Sequence, residues 1–448
     1  MDIRSDARRP WNPDPSWADP LLALLATVAL LLSGLTILRR QNPPPATAAG
    51  IQARLLELPF AAARAFPGGR AALLQRIRGE QGLVEPWDRA VLGVLLAESG
   101  DLEGGRGLTP GPALPGPAAE PFRRCWARAF EGAAPVQSGD RDLVRAALGG
   151  GWTAALLEAH LDRLDGRNPG PGLEAAQGKA LRRLGALAAG GALLALTCLG
   201  GVAFGIYLLV ARPKAPAPPP EDASALPWRA LLLLFLAWYL GMLTAGTLMA
   251  GVTAALPSLR PFAVPLAYLL HASWGVFLIG RSRGLGFREL WAGLTPPPVG
   301  RALLWGFGFL ALAVPSVLLT ALLLAPLLRH LSSPQRELLQ AIAALRSPMA
   351  VLLTGATVAF LGPAFEELLF RGTLLPWAAR RWGWSLGLLV TSFLFALMHL
   401  QPAGLPTLTV LGMILGLAFR QGGSLWTVIL VHGLWNGGVF LFLRLMVV

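Results

Sequence analysis

Of the chain's 448 residues, 54% are hydrophobic and only 14% charged, where a water-soluble domain carries about a quarter charged residues, so an ordinary soluble globular protein is excluded. The formal net charge of +13 gathers in arginine-rich flanks of apolar runs, the placement that orients membrane helices, which argues against nucleic acid as a partner. Two cysteines, Cys125 and Cys198, the second inside an apolar run, exclude a disulfide framework.

The expected fold class is all-α, a polytopic transmembrane bundle with a small helical soluble domain inserted after the first span. About nine apolar runs approach the roughly 20 residues that cross a bilayer. Residues 1–38 hold a polar tail and a first anchor at 21–38, too long for a signal-peptide core and closed by Arg39 and Arg40 with no small-residue cleavage site. Residues 39–183 change character: they are rich in Ala, Arg, Glu, Asp and Gly, with amphipathic stretches at 53–63 and 152–164 and Pro/Gly breaks at 108–117. This segment reads as the soluble helical domain. The run 184–211 is a second transmembrane helix, and 212–227 is a Pro-rich linker that stays extended. Residues 228–448 form a membrane domain with spans near 229–256, 262–280, 302–327, 350–379, 384–399, 405–420 and 425–446.

Sidedness follows from arginines in the short loops. Arg281, Arg283, Arg288, Arg301, Arg380, Arg381 and Arg420 fall on one side, against Arg260, Arg329, Arg336, Arg346 and Arg444 on the other. The richer side is cytoplasmic. The turns at 380–383 and 421–423 are therefore expected inside and residues 39–183 outside, although Arg39, Arg40, Lys179, Arg182 and Arg183 flank the outer domain and pull the other way. The expected location is a multi-pass position in a bacterial cytoplasmic membrane.

Charged groups at the bilayer centre cost about 3 kcal/mol each on insertion scales, so those in the spans need a reason. One apolar segment holds Glu366, Glu367 and Arg371. Glu367 and Arg371 stand four apart, on one helical face, and can pair. Glu366 is rotated by about 100° and finds no cation in its own helix, which leaves it to face a cavity as a base. Phe395 and His399 close the next span, and His432 and Asn436 lie in the last, each pair again four apart. Counting from the shared turns at 1.5 Å per residue puts Glu366 about 21 Å deep, His399 about 22 Å, His432 about 12 Å and Asn436 about 18 Å. These depths overlap. His271 and His330 read instead as interhelical or interfacial groups.

The ordered patterns Glu366-Glu367-x-x-x-Arg371, Phe395-x-x-x-His399 and His432-x-x-x-Asn436 resemble the three motifs of the CPBP family, the CAAX prenyl endopeptidases and bacteriocin-processing or Abi-type membrane proteins. The likeness covers 350–448 by motif and 228–448 by helix pattern. It implies an intramembrane endopeptidase whose substrate is a membrane-associated or prenylated, CAAX-type protein or peptide. By this resemblance Glu366 activates the attacking water, His399 and His432 position that water or a metal, and Asn436 holds the oxyanion. Glu367, Arg371 and Phe395 support the site. Two mechanisms stay open: one zinc or other divalent ion on His399, His432 and Glu366 with an open position for water, or a metal-free glutamate mechanism. His-Glu-x-x-His is absent, no Gly-x-Ser-x-Gly elbow lies in a span, and no Gly-Asp pair does; other intramembrane protease classes are thereby disfavoured. The alternative is a non-catalytic binding, immunity or transport protein on the same scaffold. A carrier would show paired repeats with interrupted helices, and a non-catalytic member would lack a motif residue.

Overall fold

The computed structural model describes residues 15–41, 57–61, 86–108, 114–132, 135–214, 226–283, 299–328, 331, 342, 345 and 347–447. Among these, every regular element is helical. Contacts divide the chain into two compact units, Met1–Asn42 with Leu193–Phe442, and Pro43–Ala192 with Leu443–Val448.

Helix α1 (Pro15–Gln41) packs on the third span through an interhelical hydroxyl pair, Ser33 with Tyr239 at 2.6 Å. The second unit is built from α2 (Pro86–Glu98), α3 (Leu102–Leu108), α4 (Ala119–Glu131), α5 (Asp140–Ala147) and α6 (Trp152–Leu164). Their apolar stripes meet around Trp87, Phe122, Leu95, Leu148, Leu156 and Leu157, all fully buried, with Trp87 and Phe122 edge-on. Buried Glu57 satisfies the first free amides of α6, accepting from Trp152 N at 3.2 Å and Thr153 N at 2.9 Å, as a carboxylate at a positive helix end does. Arg124 grips buried Asp140 through two bonds of 2.8 and 2.7 Å. That double bond, together with the Gln137 amide, holds the Asp140 carboxyl below its usual range.

Helix α7 (Gly170–Ala211) begins earlier than the span expected from residue 184. No proline follows Pro171 until Pro213, so nothing breaks the ladder between the polar first turns and the apolar stretch, and one 42-residue helix results. Most of the predicted 212–227 linker lies outside the described residues, as do the loop at 284–298 with Arg288, most of the 53–63 stretch, and His330.

The membrane part continues with α8 (Trp228–Ala255), the 3-10 turn Pro257–Phe262, α9 (Ala263–Arg283), α10 (Val299–Leu328), α11 (Pro348–Ala356), α12 (Gly362–Leu369), α13 (Leu375–Trp382), α14 (Trp384–Leu397), α15 (Leu405–Gly422) and α16 (Leu425–Val447). Seven helical stretches are long and apolar enough to cross a membrane, and two shorter apolar ones, Leu21–Gly34 and Trp384–Leu397, complete the set among the described residues. Each predicted span falls on one of these helices. The chain is an integral, multi-pass membrane protein.

Two local features depart from the expected spans. The span predicted at 350–379 is a helix with two π-turns, Thr357–Leu361 between α11 and α12 and Phe370–Leu374 between α12 and α13. Each is followed two residues later by a proline, Pro363 and Pro376, whose missing N–H removes a bond from the regular ladder. The turn expected at 380–383 shrinks to Gly383 alone, with φ +79°, a conformation that costs glycine nothing.

Candidate active site

The site is anchored by Glu367, whose side chain is fully buried. Its Oε1 accepts from Arg371 Nη1 at 2.9 Å and from His432 Nδ1 at 2.7 Å. Arg371, at the second π-turn, donates its other arm to the Gly412 carbonyl of α15 at 2.8 Å. Its guanidinium lies 4.8 Å over the Phe395 ring and 5.8 Å from Phe370. Four elements are tied together by this one ion pair. Removing one partner of such a buried pair strands the other and costs several kcal/mol.

His432 is oriented as a consequence. Its Nδ1 must carry the proton given to Glu367, so in the neutral ring Nε2 presents a lone pair. That Nε2 stands 3.8 Å from Glu366 Oε2, too far for a direct hydrogen bond. Glu366 retains 16% side-chain exposure, and its Oε2 is buried with no hydrogen-bond partner among the described residues. A carboxylate oxygen and an imidazole lone pair both accept, so they need a proton donor between them, and a water molecule suits.

His399 has the same wiring. It lies just beyond the end of α14, its amide bonded to Ala396 O, and Leu400 after it adopts φ +52°. Its Nδ1 donates to the Phe395 carbonyl at 2.8 Å, which again directs Nε2 outward from the helix end. The buried Phe395 ring sits between the two imidazoles, 4.9 Å from His399 and 5.6 Å from His432. Three ring contacts of Phe395, with His399, His432 and Arg371, converge on the polar cluster, and a fourth is edge-on with Phe370 at 5.3 Å.

The last motif residue meets the first π-turn. Pro363 has no N–H to offer the carbonyls of Val358 or Ala359. Asn436 Nδ2 donates to Val358 O at 3.3 Å, and Gly433 presses on Ala359 O so closely that a Cβ there would clash with it. Asn436 keeps a second N–H for another acceptor. The π-turns, the Gly412 and Val358 carbonyls, and the bond from His432 to Glu367 were not foreseen in the sequence. Pro363 and Pro376 carried a signal for the first of these.

No three His, Cys, Asp or Glu side chains come together among the described residues in a group that could hold a metal ion. Glu367 is committed to Arg371 and His432, which leaves Glu366 as the carboxylate beside His432 Nε2.

A carboxylate with an unsatisfied oxygen, two imidazoles each bonded through Nδ1 and a carboxamide are gathered in this one membrane bundle. Residues 348–438 match the family model described as "Type II CAAX prenyl endopeptidase Rce1-like", and the resemblance drawn from the three motifs is shown on that stretch, which contains them all. An Escherichia coli protein described as "Uncharacterized 24.3 kDa protein" is 36% identical over 109 residues, 23% of this chain and 50% of that protein. The chain thus spans half the length of the curated relative it matches. No solved structure matches.

Proposed function

We propose that the protein is an intramembrane endopeptidase that hydrolyses a peptide bond of a membrane-associated or prenylated, CAAX-type substrate in a bacterial cytoplasmic membrane. The observation that carries this reading is the division between the two adjacent glutamates. Glu367 is saturated by Arg371 and His432, while Glu366 Oε2 has no hydrogen-bond partner among the described residues and stands 3.8 Å from an imidazole nitrogen.

Water held between Glu366 and His432 Nε2 gives a proton to Glu366 as its oxygen attacks the scissile carbonyl carbon. The second N–H of Asn436 donates to the oxyanion that forms. The C–N bond then breaks, and the proton on Glu366 passes to the leaving amine. His399 lines the site from the end of α14 and helps orient the water. Glu367, Arg371 and Phe395 fix the imidazoles.

The test is cleavage of a farnesylated CAAX-type peptide, beside an unprenylated peptide library, by the full chain in lipid nanodiscs. Glu366→Gln is expected to lower kcat by at least about 100-fold with an unchanged melting temperature, because an amide cannot take the proton. Wild-type turnover in that variant overturns the reading. Elemental analysis addresses the metal: activity without stoichiometric metal is expected. One zinc per chain, lost in His399→Ala or His432→Ala, would replace the glutamate-only mechanism with a metal-assisted one.

A further inference from the structure

Several helix ends are tied together on the face of the membrane unit that carries Gly383. Near the end of α13, Trp377 Nε1 donates to the Leu226 carbonyl just ahead of α8 at 2.9 Å. Arg301, in the first turn of α10, donates through Nη2 to the Gln421 carbonyl near the end of α15 at 3.1 Å. The Arg420 guanidinium lies 4.6 Å over the ring of Trp384, the first residue of α14. Three further tryptophans, Trp228, Trp382 and Trp426, are exposed and stand in the terminal turns of α8, α13 and α16 at this same end. Exposed indoles at one end of a transmembrane bundle mark the level of the lipid headgroups.

Three exposed arginines share that level, Arg301, Arg381 and Arg420. The carboxylates among the described residues of the membrane unit are Glu366 and Glu367, in the candidate active site, and Asp19. Asp19 is taken by Arg229 through two bonds of 2.7 and 3.1 Å. The three arginines therefore have no carboxylate to pair with among the described residues. Arg381 lies 4.8 Å over the Trp377 ring, as Arg420 lies over Trp384. A guanidinium resting on an indole keeps its N–H groups in its own plane, directed away from the ring. That is the fork which a phosphate accepts bidentately.

We propose that this end of the bundle is a docking surface for the phosphodiester headgroups of anionic phospholipids, with Arg381 and Arg420 as stacked forks and Arg301 as a third cation beside Arg420. Three positive charges with no carboxylate against them favour a lipid of net negative charge. In a zwitterionic lipid the ammonium competes with the arginines for the same phosphate. The inference is independent of the hydrolytic reading, since binding requires no catalysis.

The test is native mass spectrometry of the full chain released from nanodiscs of phosphatidylglycerol and phosphatidylethanolamine in equal amounts, counting the lipids retained. Phosphatidylglycerol is expected to be retained in preference. Each arginine near an anionic surface is worth on the order of 5-fold in affinity, so Arg301→Gln, Arg381→Gln and Arg420→Gln should each weaken the preference by about that factor, and the triple variant should abolish it. Arg260→Gln, at the opposite end of α8, where Arg260 Nε donates to the Thr253 carbonyl, should leave it unchanged. Equal retention of the two lipids by the wild type overturns the proposal. So does an undiminished preference in the triple variant, or an equal loss in Arg260→Gln. The double variant Arg381→Lys with Arg420→Lys keeps the charge and removes the forks. It should also weaken the preference, and it decides the matter if the triple variant does not fold: an unchanged preference overturns the stacked-fork site. Millimolar inorganic phosphate should leave the lipid in place, and its displacement would reassign the surface to free phosphate and overturn the lipid.

Discussion

Glu366 and Glu367 are chemically identical neighbours, and the helix separates them by rotation alone. Glu367 points to Arg371 and His432, so Glu367→Gln is expected to cost about 3–5 kcal/mol by leaving the guanidinium without its anion. Loss of folded yield in detergent extracts, with a lowered melting temperature, is the measurement. Glu366→Gln should melt as the wild type does. Equal stability in both variants would contradict the division. The pairing of Glu367 with Arg371 was legible because four-residue spacing fixes azimuth within one helix. The bond from His432 to Glu367 was not, because counting residues from a turn gives depth and says nothing about which way a neighbouring helix is rotated. Cys125 offers a second residue-scale prediction. It is wholly buried in the second unit, and burial pushes its thiol up to about 11. Almost no thiolate exists at pH 8, so Cys125 should resist iodoacetamide in the folded chain and react once the chain is denatured.

Helix existence and order were readable from apolar runs, because about 20 consecutive apolar residues have few other uses. The interior of the span at 348–382 was not, since a hydropathy average is blind to one inserted residue. A π-turn adds that residue and rotates everything beyond it by about 100° relative to an unbroken helix. The turn at Thr357–Leu361 therefore sets where Glu366 points. Pro363→Ala restores the missing N–H and lets the turn close into regular helix. The expected result is a fall in kcat of at least about 10-fold with melting temperature equal to or above wild type. Unchanged turnover would show that the turn does not aim the glutamate. The start of α7 was misplaced for a related reason: residues 170–183 are polar enough to look like domain surface, yet contain nothing after Pro171 that stops a helix. His399 was placed in the helix by its spacing from Phe395, whereas it lies just past the helix end, where the same spacing lets its ring bond back to the Phe395 carbonyl.

For the whole molecule, the fold class was the easiest reading and the side of the membrane the hardest. Composition alone demanded a helical bundle. Sidedness rests on small arginine differences between loops, with Arg39, Arg40 and Lys179 opposed to the rest. We predict that the turn at Gly383 faces the cytoplasm and that the unit containing α4 and α5 faces outward. Ser138→Cys and Ser385→Cys, both at exposed positions, are to be placed singly in a cysteine-free background and probed on intact cells with a membrane-impermeant thiol reagent. Labelling at 138 alone is expected; labelling at 385 alone inverts the molecule and moves substrate entry to the outer leaflet. The order of the parts along the chain has one more consequence. Glu366, Glu367 and Arg371 leave the ribosome well before His432 and Asn436, and Glu367 has no imidazole to hold until α16 has entered the bilayer. On the proposed hydrolytic reading, a half-synthesised chain is its own proenzyme, unable to cut the nascent membrane proteins around it, and competence arrives only once α16 is in place.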